Sequence, residues 1–172
     1  MPIGAGIDVA DIAQTVLIGV AGHFAASGVD LPPRQVIAPG QSRVVPWDCE
    51  SVVVTCDGIG VGHAPGSGAT ARQAGTNLST GGRYTTIAVQ IVRCVPLGDG
   101  GEPAADGELT DAGLAMMRDA GVLSQALTEI VGRAGPLKQH GSAVAGAVEF
   151  LGPEGGFSAV EGSVTITAMK LT

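Results

Sequence analysis

Residues Tyr84 to Pro96 constrain the fold more than any other stretch of this chain. Ile87, Val89 and Ile91 fall on one side of an extended segment, and Tyr84, Thr86, Ala88 and Gln90 on the other. That period of two is the mark of a half-buried strand, and Pro96 ends it. A strand with an unbroken aliphatic face needs partner strands and a covering layer.

The covering layer is legible at the start of the chain. Ile12, Val16, Val20 and Phe24 recur every fourth residue, with Val9, Ala13 and Leu17 widening the stripe, so a helix is predicted from about Val9 to Ala26. Asp8 stands where a cap belongs, Asp11 suits the positive end of the helix dipole, and Ser27-Gly28 supplies the stop. Ile18 lies off the stripe, next to Gly19 and Gly22, which allow another element to come close. These three residues are candidates for a subunit interface.

A second helical region is expected from about Ala105 to Arg133. Leu109, Ala112, Met116 and Met117 form one stripe and Leu123, Leu127, Ile130 and Val131 another, with Ala120-Gly121 expected to bend the helix between them and Gly135-Pro136 to close it. The remaining segments read as strands. After Pro32-Pro33 comes a short one at Gln35 to Ala38, closed by Pro39-Gly40. Val52, Val53 and Val54 lead into Asp57-Gly58, a hairpin-turn signal, with Ile59 and Val61 starting the return strand. Ala143 to Phe150 is apolar on both faces, as for a strand in the centre of a sheet. Gly152 to Gly156 turns the chain into Ala159 to Leu171, with Val160, Val164, Ile166 and Ala168 inward and Glu161, Ser163, Thr165 and Thr167 outward. The expected fold is α+β, a single mostly antiparallel sheet flanked by two helical regions, in one domain over 1–172. Between the strands, His63 to Gly82 is dominated by Gly, Ser, Thr, Ala and Pro. It reads as a long, projecting loop that orders against a neighbouring subunit.

Composition narrows the function. The chain of 172 residues carries nine Lys and Arg against sixteen Asp and Glu, for a formal net charge of −7, which disfavours a face built to neutralise DNA phosphates. Charged residues are 15% and aromatic residues 3% of the chain. Such a polar-poor, Gly-, Ala- and Val-rich surface suits a subunit partly hidden by neighbours, although a high-GC coding genome biases composition the same way. The longest apolar run, Val16 to Ala26, contains His23 and falls short of the ~20 residues a bilayer span requires. Asp8 and Asp11 stand where a signal peptide carries positive charge. Three cysteines without a C-x-x-C pair fit a reducing compartment, with Cys56 and Cys94 expected as small buried hydrophobes.

Each catalytic class fails on its own terms. Gly58-Ile59-Gly60-Val61-Gly62 follows a strand but opens no helix whose N-terminus would hold phosphate. His23, His63 and His140 lack partners at metal-ligand spacing. There is no G-x-S-x-G elbow. Cys49 sits between Asp48 and Glu50, and their charge opposes thiolate formation. Glu149, Glu154 and Glu161 lie near the last hairpin and are read as solvated strand and turn positions, not as a glycosidase pair. No catalytic, cofactor or metal residue is therefore assigned. Arg93 ends the clearest strand on its aliphatic face. It is either a rim residue whose guanidinium reaches water or half of a structural ion pair.

Three segments carry a family resemblance: Trp47-Asp48-Cys49 before a strand, Ile91-Val92-Arg93-Cys94-Val95-Pro96 at the end of another, and Leu151-Gly152-Pro153-Glu154-Gly155-Gly156-Phe157 before the last. In order and spacing the chain resembles the tail-terminator proteins of long-tailed, non-contractile bacteriophages of actinobacteria, over roughly residues 5 to 170. The resemblance marks Asp48, Cys49, Arg93, Cys94, Pro96, Pro153, Glu154, Gly155 and Gly156 as structural motif positions. It implies a non-enzymatic virion protein, made in the host cytoplasm and located in the tail or neck. Copies would close into a hexameric ring on the major tail tube protein, end tube growth and dock the head-side stopper or connector. Genome DNA would pass through the lumen without specific binding, and no membrane or cofactor is involved. The rival readings are another neck component, such as a head-completion or stopper protein, and a small cytosolic enzyme or ligand-binding domain.

Overall fold

The computed structural model describes residues 8–38, 40, 49–61, 83–98, 104–154 and 156–168. Among them are two α-helices, α1 (Val9–Ser27) and α2 (Asp106–Val131), and six strands: β1 (Arg34–Ala38), β2 (Ser51–Val61), β3 (Arg83–Cys94), β4 (Ser142–Ala145), β5 (Glu149–Glu154) and β6 (Phe157–Ala168). The expected α+β class holds. The strands form one sheet in the order β1-β2-β3-β6-β4, with β5 also on β6. Among the described strands only the β1–β2 pair is parallel.

β3 lies at the centre, flanked by β2 and β6. Val52 pairs with Ile91 and Val54 with Val89; Ile91 pairs with Val160 and Ile87 with Val164. Period-two alternation thus gathers one aliphatic face, and both helices pack on it in a single core. Ile12, Val16, Val20 and Phe24 of α1 are completely buried there. The Asp8 carboxylate accepts from the N–H groups of Ala10 and Asp11, and Gly28, at φ 65°, ends the helix. By length and composition α1, at 19 residues, is apolar enough to cross a bilayer. The sequence reading counted only part of it. Its buried stripe makes it a core helix of this domain.

α2 meets the same core through Met116, Leu123, Ala126, Leu127 and Ile130. Two glycines set the closeness of these layers. A Cβ on Gly19 would stand 2.7 Å from Ile130 Cδ1, and one on Gly162 would stand 2.6 Å from Leu127 Cδ1. Gly19 therefore serves the α1–α2 crossing within the chain. Gly22 faces open space, and Ile18 is 61% exposed, as its place off the stripe requires.

The structure corrects the sequence reading at several places. Asp57-Gly58 is not a turn: β2 continues through it with a bulge between Cys56 and Gly58. Asp and Gly suit both features, and here Thr55 Oγ1 donates to the Asp57 carboxylate while Thr85 Oγ1 donates to the Gly58 carbonyl, which holds the extra residue in the ladder. α2 runs unbroken past Ala120-Gly121. One glycine costs a helix only about 1 kcal/mol, less than the packing of Leu123, Leu127 and Ile130 returns. The first predicted stripe is mostly outside the core, because Leu109 and Met117 are exposed and only Met116 is buried. Ala143 to Phe150 is not a central strand. It is divided between β4 and β5, both on the outer edge of β6, with Val144 and Phe150 exposed. The helix ends at Val131, and Pro136–His140 forms a short 3₁₀ turn beyond it. The His63 to Gly82 segment lies outside the described residues.

Candidate functional site

The β2–β3 register places Ser51 opposite Val92, so Cys49-Glu50 and Arg93-Cys94 meet just beyond that pair. Cys49 and Cys94 form a disulfide with their Cα atoms 4.9 Å apart. This overturns the reading of Cys94 as a free buried hydrophobe; Cys56 is the free cysteine. The pairing could not be read from the sequence, because 45 residues separate the two positions and only the strand register brings them together.

Arg93 precedes Cys94 in β3, and its guanidinium gathers carboxylates from two other segments. Nε donates to Asp119 Oδ2 at 2.8 Å and Nη2 to Asp119 Oδ1 at 3.1 Å, a two-point grip on a carboxylate that is 1% exposed. Nη1 donates to Glu50 Oε2 at 2.9 Å, and Nη2 also donates to the Asp30 carbonyl at 2.6 Å. The other Glu50 oxygen accepts from the Cys94 N–H at 3.1 Å. Glu50 sits at φ 65°, a left-handed conformation costing a non-glycine residue on the order of 1 kcal/mol. These bonds offset that cost by turning the carboxylate onto both partners. The hydrogen bond to Asp119 raises the Arg93 pKa most, against the opposing effect of burial, with Glu50 adding to the rise. Of the two sequence readings for Arg93, the structural ion pair within the subunit is the one realised. One side chain thus ties the α1–β1 connection, the start of β2, the end of β3 and the middle of α2.

The third motif segment reaches the same end of the sheet. Cys94 pairs with Phe157, the Val95 N–H donates to the Gly156 carbonyl at 2.8 Å, and the Leu97 side chain rests on Gly156. Gly156 has φ 86°, Gly152 φ 93°, and the Gly152–Pro153 peptide is cis, with the β5–β6 register interrupted between Leu151 and Glu154. Pro96 follows this pairing directly. Asp48 and Gly155 lie outside the described residues. The structure thus joins Cys49, Arg93, Cys94 and Gly156, while Ile18, Gly19 and Gly22 lie apart on α1.

Sequence reasoning missed Asp119, Glu50 and Asp30. A signal existed for Asp119, a carboxylate within the stripe Met116, Leu123, Leu127, Ile130, where only a buried partner makes it tolerable. The Asp30 contribution is a backbone carbonyl and leaves no trace in residue type.

The remaining polar groups are dispersed. His23 Nδ1 meets Glu129 Oε2 at 3.1 Å, and among the described residues its buried Nε2 has no hydrogen-bond partner. It borders an open depression of about 650 Å³ with Gly19, Thr128, Arg133 and Pro136. His140 Nε2 lies 3.4 Å from Asp11 Oδ2. Gln90 donates to Glu161 at 2.6 Å, and Glu161 stands opposite Glu149. Among the described residues no group of three His, Cys, Asp or Glu is placed to hold a metal ion. The two sulfurs at this end of the sheet are bonded to each other, and the Arg93 cluster clamps the end of β3 to α2.

No protein-family model matches the chain, and no curated protein matches it. Among solved structures it is similar to a chain of the virion of a native gene transfer agent particle, at 12% identity and a TM-score of 0.42, over 96% of this chain and 100% of that one.

Proposed function

We propose that this chain is a structural protein of a virion, and within the virion a tail terminator. The observation that carries the reading is the meeting of the three motif segments. Cys49, Arg93-Cys94 and Gly156 are distant in sequence yet touch at one end of the sheet, so the features behind the resemblance form one structural unit.

The work of such a protein is geometric. Identical interfaces must close into a ring, one face of the ring must match the tail tube, and the other must match the head-side connector. A rigid subunit is the first requirement, and the Arg93 clamp and the disulfide meet it by fixing helices and strands together. An exposed apolar surface is the second. From Asp106 to Ala115 no residue of α2 is buried, although Leu109 and Leu114 lie in that stretch, and Ile18, Leu97 and Met117 are exposed elsewhere. Apolar groups of this kind are the usual material of protein–protein contacts. The acidic balance suits a lumen that DNA traverses without adhering.

The test is addition of the purified chain to polymerising tail-tube protein, with tube lengths read by electron microscopy. The expected result is shortened tubes, each carrying a ring at one end. Binding to a head connector with no effect on tubes would assign the chain to a stopper instead. A monomer that binds neither would overturn the virion reading.

A further inference from the structure

We propose that the Cys49–Cys94 disulfide is a redox latch, opened and closed in the folded chain by exchange with small thiols and disulfides. The first observation is distance. The register that sets Ser51 opposite Val92 brings Cys49 against Cys94 with 4.9 Å between their Cα atoms. Antiparallel neighbours keep roughly 4.5–5.5 Å without any covalent link, so making or breaking the bond requires no displacement of the backbone. The second observation is what else holds the two positions. The Cys94 N–H donates to Glu50 Oε1 at 3.1 Å, and Arg93 Nη1 donates to Glu50 Oε2 at 2.9 Å, so the two segments grip each other directly. On its other side Cys94 pairs with Phe157, and the Val95 N–H donates to the Gly156 carbonyl. None of these bonds runs through sulfur, and neither cysteine belongs to the hydrophobic core cluster.

The third observation is access. Cys94 is exposed and Cys49 half-buried, which puts the bond within reach of a dissolved thiolate, with Cys94 the sulfur met first. In opening, that thiolate attacks the Cys94 sulfur, the S–S bond breaks, and Cys49 leaves with the electron pair and takes a proton from water. A second thiolate then attacks the small-molecule sulfur of the mixed disulfide and releases Cys94. Two small thiols are oxidised to one disulfide, and the protein disulfide is reduced to two thiols. Closure is the reverse, with a small disulfide such as oxidised glutathione as the oxidant. Cys56 stands aside. It packs against the core, with its Sγ 3.5 Å from Thr85 Oγ1. The strand from Ser51 to Cys56 spans roughly 17 Å at about 3.3 Å per residue, so exchange stays between Cys49 and Cys94. The closed latch restrains the unfolded chain over a separation of 45 residues and so adds stability. The open chain keeps the Arg93 grip. The latch does not depend on ring formation, so it and the virion reading stand or fall separately.

The experiment treats the full native chain with dithiothreitol and then, after its removal, with oxidised glutathione, both without denaturant. Samples are quenched with an alkylating agent in denaturant, the labelled cysteines are identified by mass spectrometry, and the fold is followed by circular dichroism. Dithiothreitol is expected to add label at Cys49 and Cys94, and oxidised glutathione to remove it again, with Cys56 labelled throughout and the circular dichroism spectrum unchanged. The open form should still melt cooperatively, at a temperature about 5–15 °C lower. The opening rate should be the same in water and in denaturant below the unfolding transition, because no unfolding precedes exchange. An opening rate that climbs with denaturant, or a bond that dithiothreitol leaves closed until the chain unfolds, overturns the latch and makes the disulfide a permanent staple. Loss of the circular dichroism signal on opening overturns it as well, because the fold would then need the bond. Label that persists at Cys49 and Cys94 after oxidised glutathione shows that the bond does not close in the folded chain, and also overturns the latch.

Discussion

Arg93 holds Asp119 by two hydrogen bonds, Nε to Oδ2 at 2.8 Å and Nη2 to Oδ1 at 3.1 Å, and so fastens the end of β3 to the middle of α2. The carboxylate is almost fully buried. Removing one partner of such a pair leaves the other desolvated and uncompensated, typically at a cost of about 3–5 kcal/mol. Arg93 keeps some access to water, so Asp119→Ala is expected at the low end, about 3 kcal/mol in denaturant unfolding. Replacing both partners with apolar residues, Arg93→Met with Asp119→Leu, should recover much of that loss. An Asp119→Ala protein as stable as the native one would show that the grip contributes nothing.

The raised Arg93 pKa has a defined pH consequence. A group whose folded pKa lies above its unfolded value contributes fully below the unfolded pKa and loses the contribution only as pH rises through the folded one. The ordinary value of a guanidinium already lies far above neutral pH and is raised further here, so Arg93 stays charged through the whole range in which proteins are handled. Titrating stability between neutral pH and mildly alkaline pH should reveal no loss attributable to Arg93, and Arg93→Lys should not restore the two-point geometry.

The disulfide makes a countable prediction. The chain has three cysteines, of which Cys56 is free. Thiol titration of the unfolded, unreduced protein should therefore find a single thiol per chain, and three after reduction. Closing a loop between positions 45 residues apart is worth about 4 kcal/mol in the chain-entropy account, with measured cases commonly at 2–4. Cys94→Ser should lower stability by that order. Three titratable thiols before reduction would remove the cross-link.

Helix α1, the centre strand β3 and the last strand β6 were legible in the sequence because each is governed by one local pattern: a cap with an i, i+4 stripe, or a strict alternation with a breaker. Where the sequence misled, one local signal served two structures. Asp57-Gly58 suits a turn or a bulge, and here Thr55 and Thr85 bond to the bulged form. Gly121 reads as a break until the packing on either side outweighs its cost. The apolar run from Ala143 to Phe150 resembles a central strand, yet it sits on an edge where Val144 and Phe150 are exposed. The Arg93 cluster was half visible. Arg93 stood out on an aliphatic face, but its partners come from three other segments, and register alone brings Cys49 to Cys94.

Gly162 faces α2 from β6. A Cβ there would lie 2.6 Å from Leu127 Cδ1, 3.2 Å from Val148 Cγ2 and 3.4 Å from Leu123 Cδ2. All three neighbours are side-chain ends that can shift, so Gly162→Ala should be mild, while Gly162→Val should cost about 1–3 kcal/mol by overpacking. Gly156→Val should cost at least about 1 kcal/mol for a different reason, its φ of 86°, which a β-branched residue rarely adopts. Equal effects of Ala and Val at Gly162 would mean that the helix yields as a body.

Helix α1 offers the sharpest separation of folding from assembly. Val16 is completely buried against the sheet and Ile18, two residues on, is 61% exposed. Val16→Asp places a charge in the core with no partner, and the core has no group to hydrogen-bond it, so the domain should fail to fold cooperatively. Ile18→Asp adds a charge on the open side, where a surface substitution usually changes stability by less than about 0.5 kcal/mol. Its melting curve should match the native one, and assembly measured by light scattering should weaken if the outer side of α1 belongs to the contact. Gly22, with open space beside it, sits one turn further along the helix, and Gly22→Leu should act on assembly in the same direction. If Ile18→Asp melted the domain as badly as Val16→Asp, α1 would be enclosed within one subunit. If it folded and assembled like the native chain, the outer side of α1 would take no part in the contact.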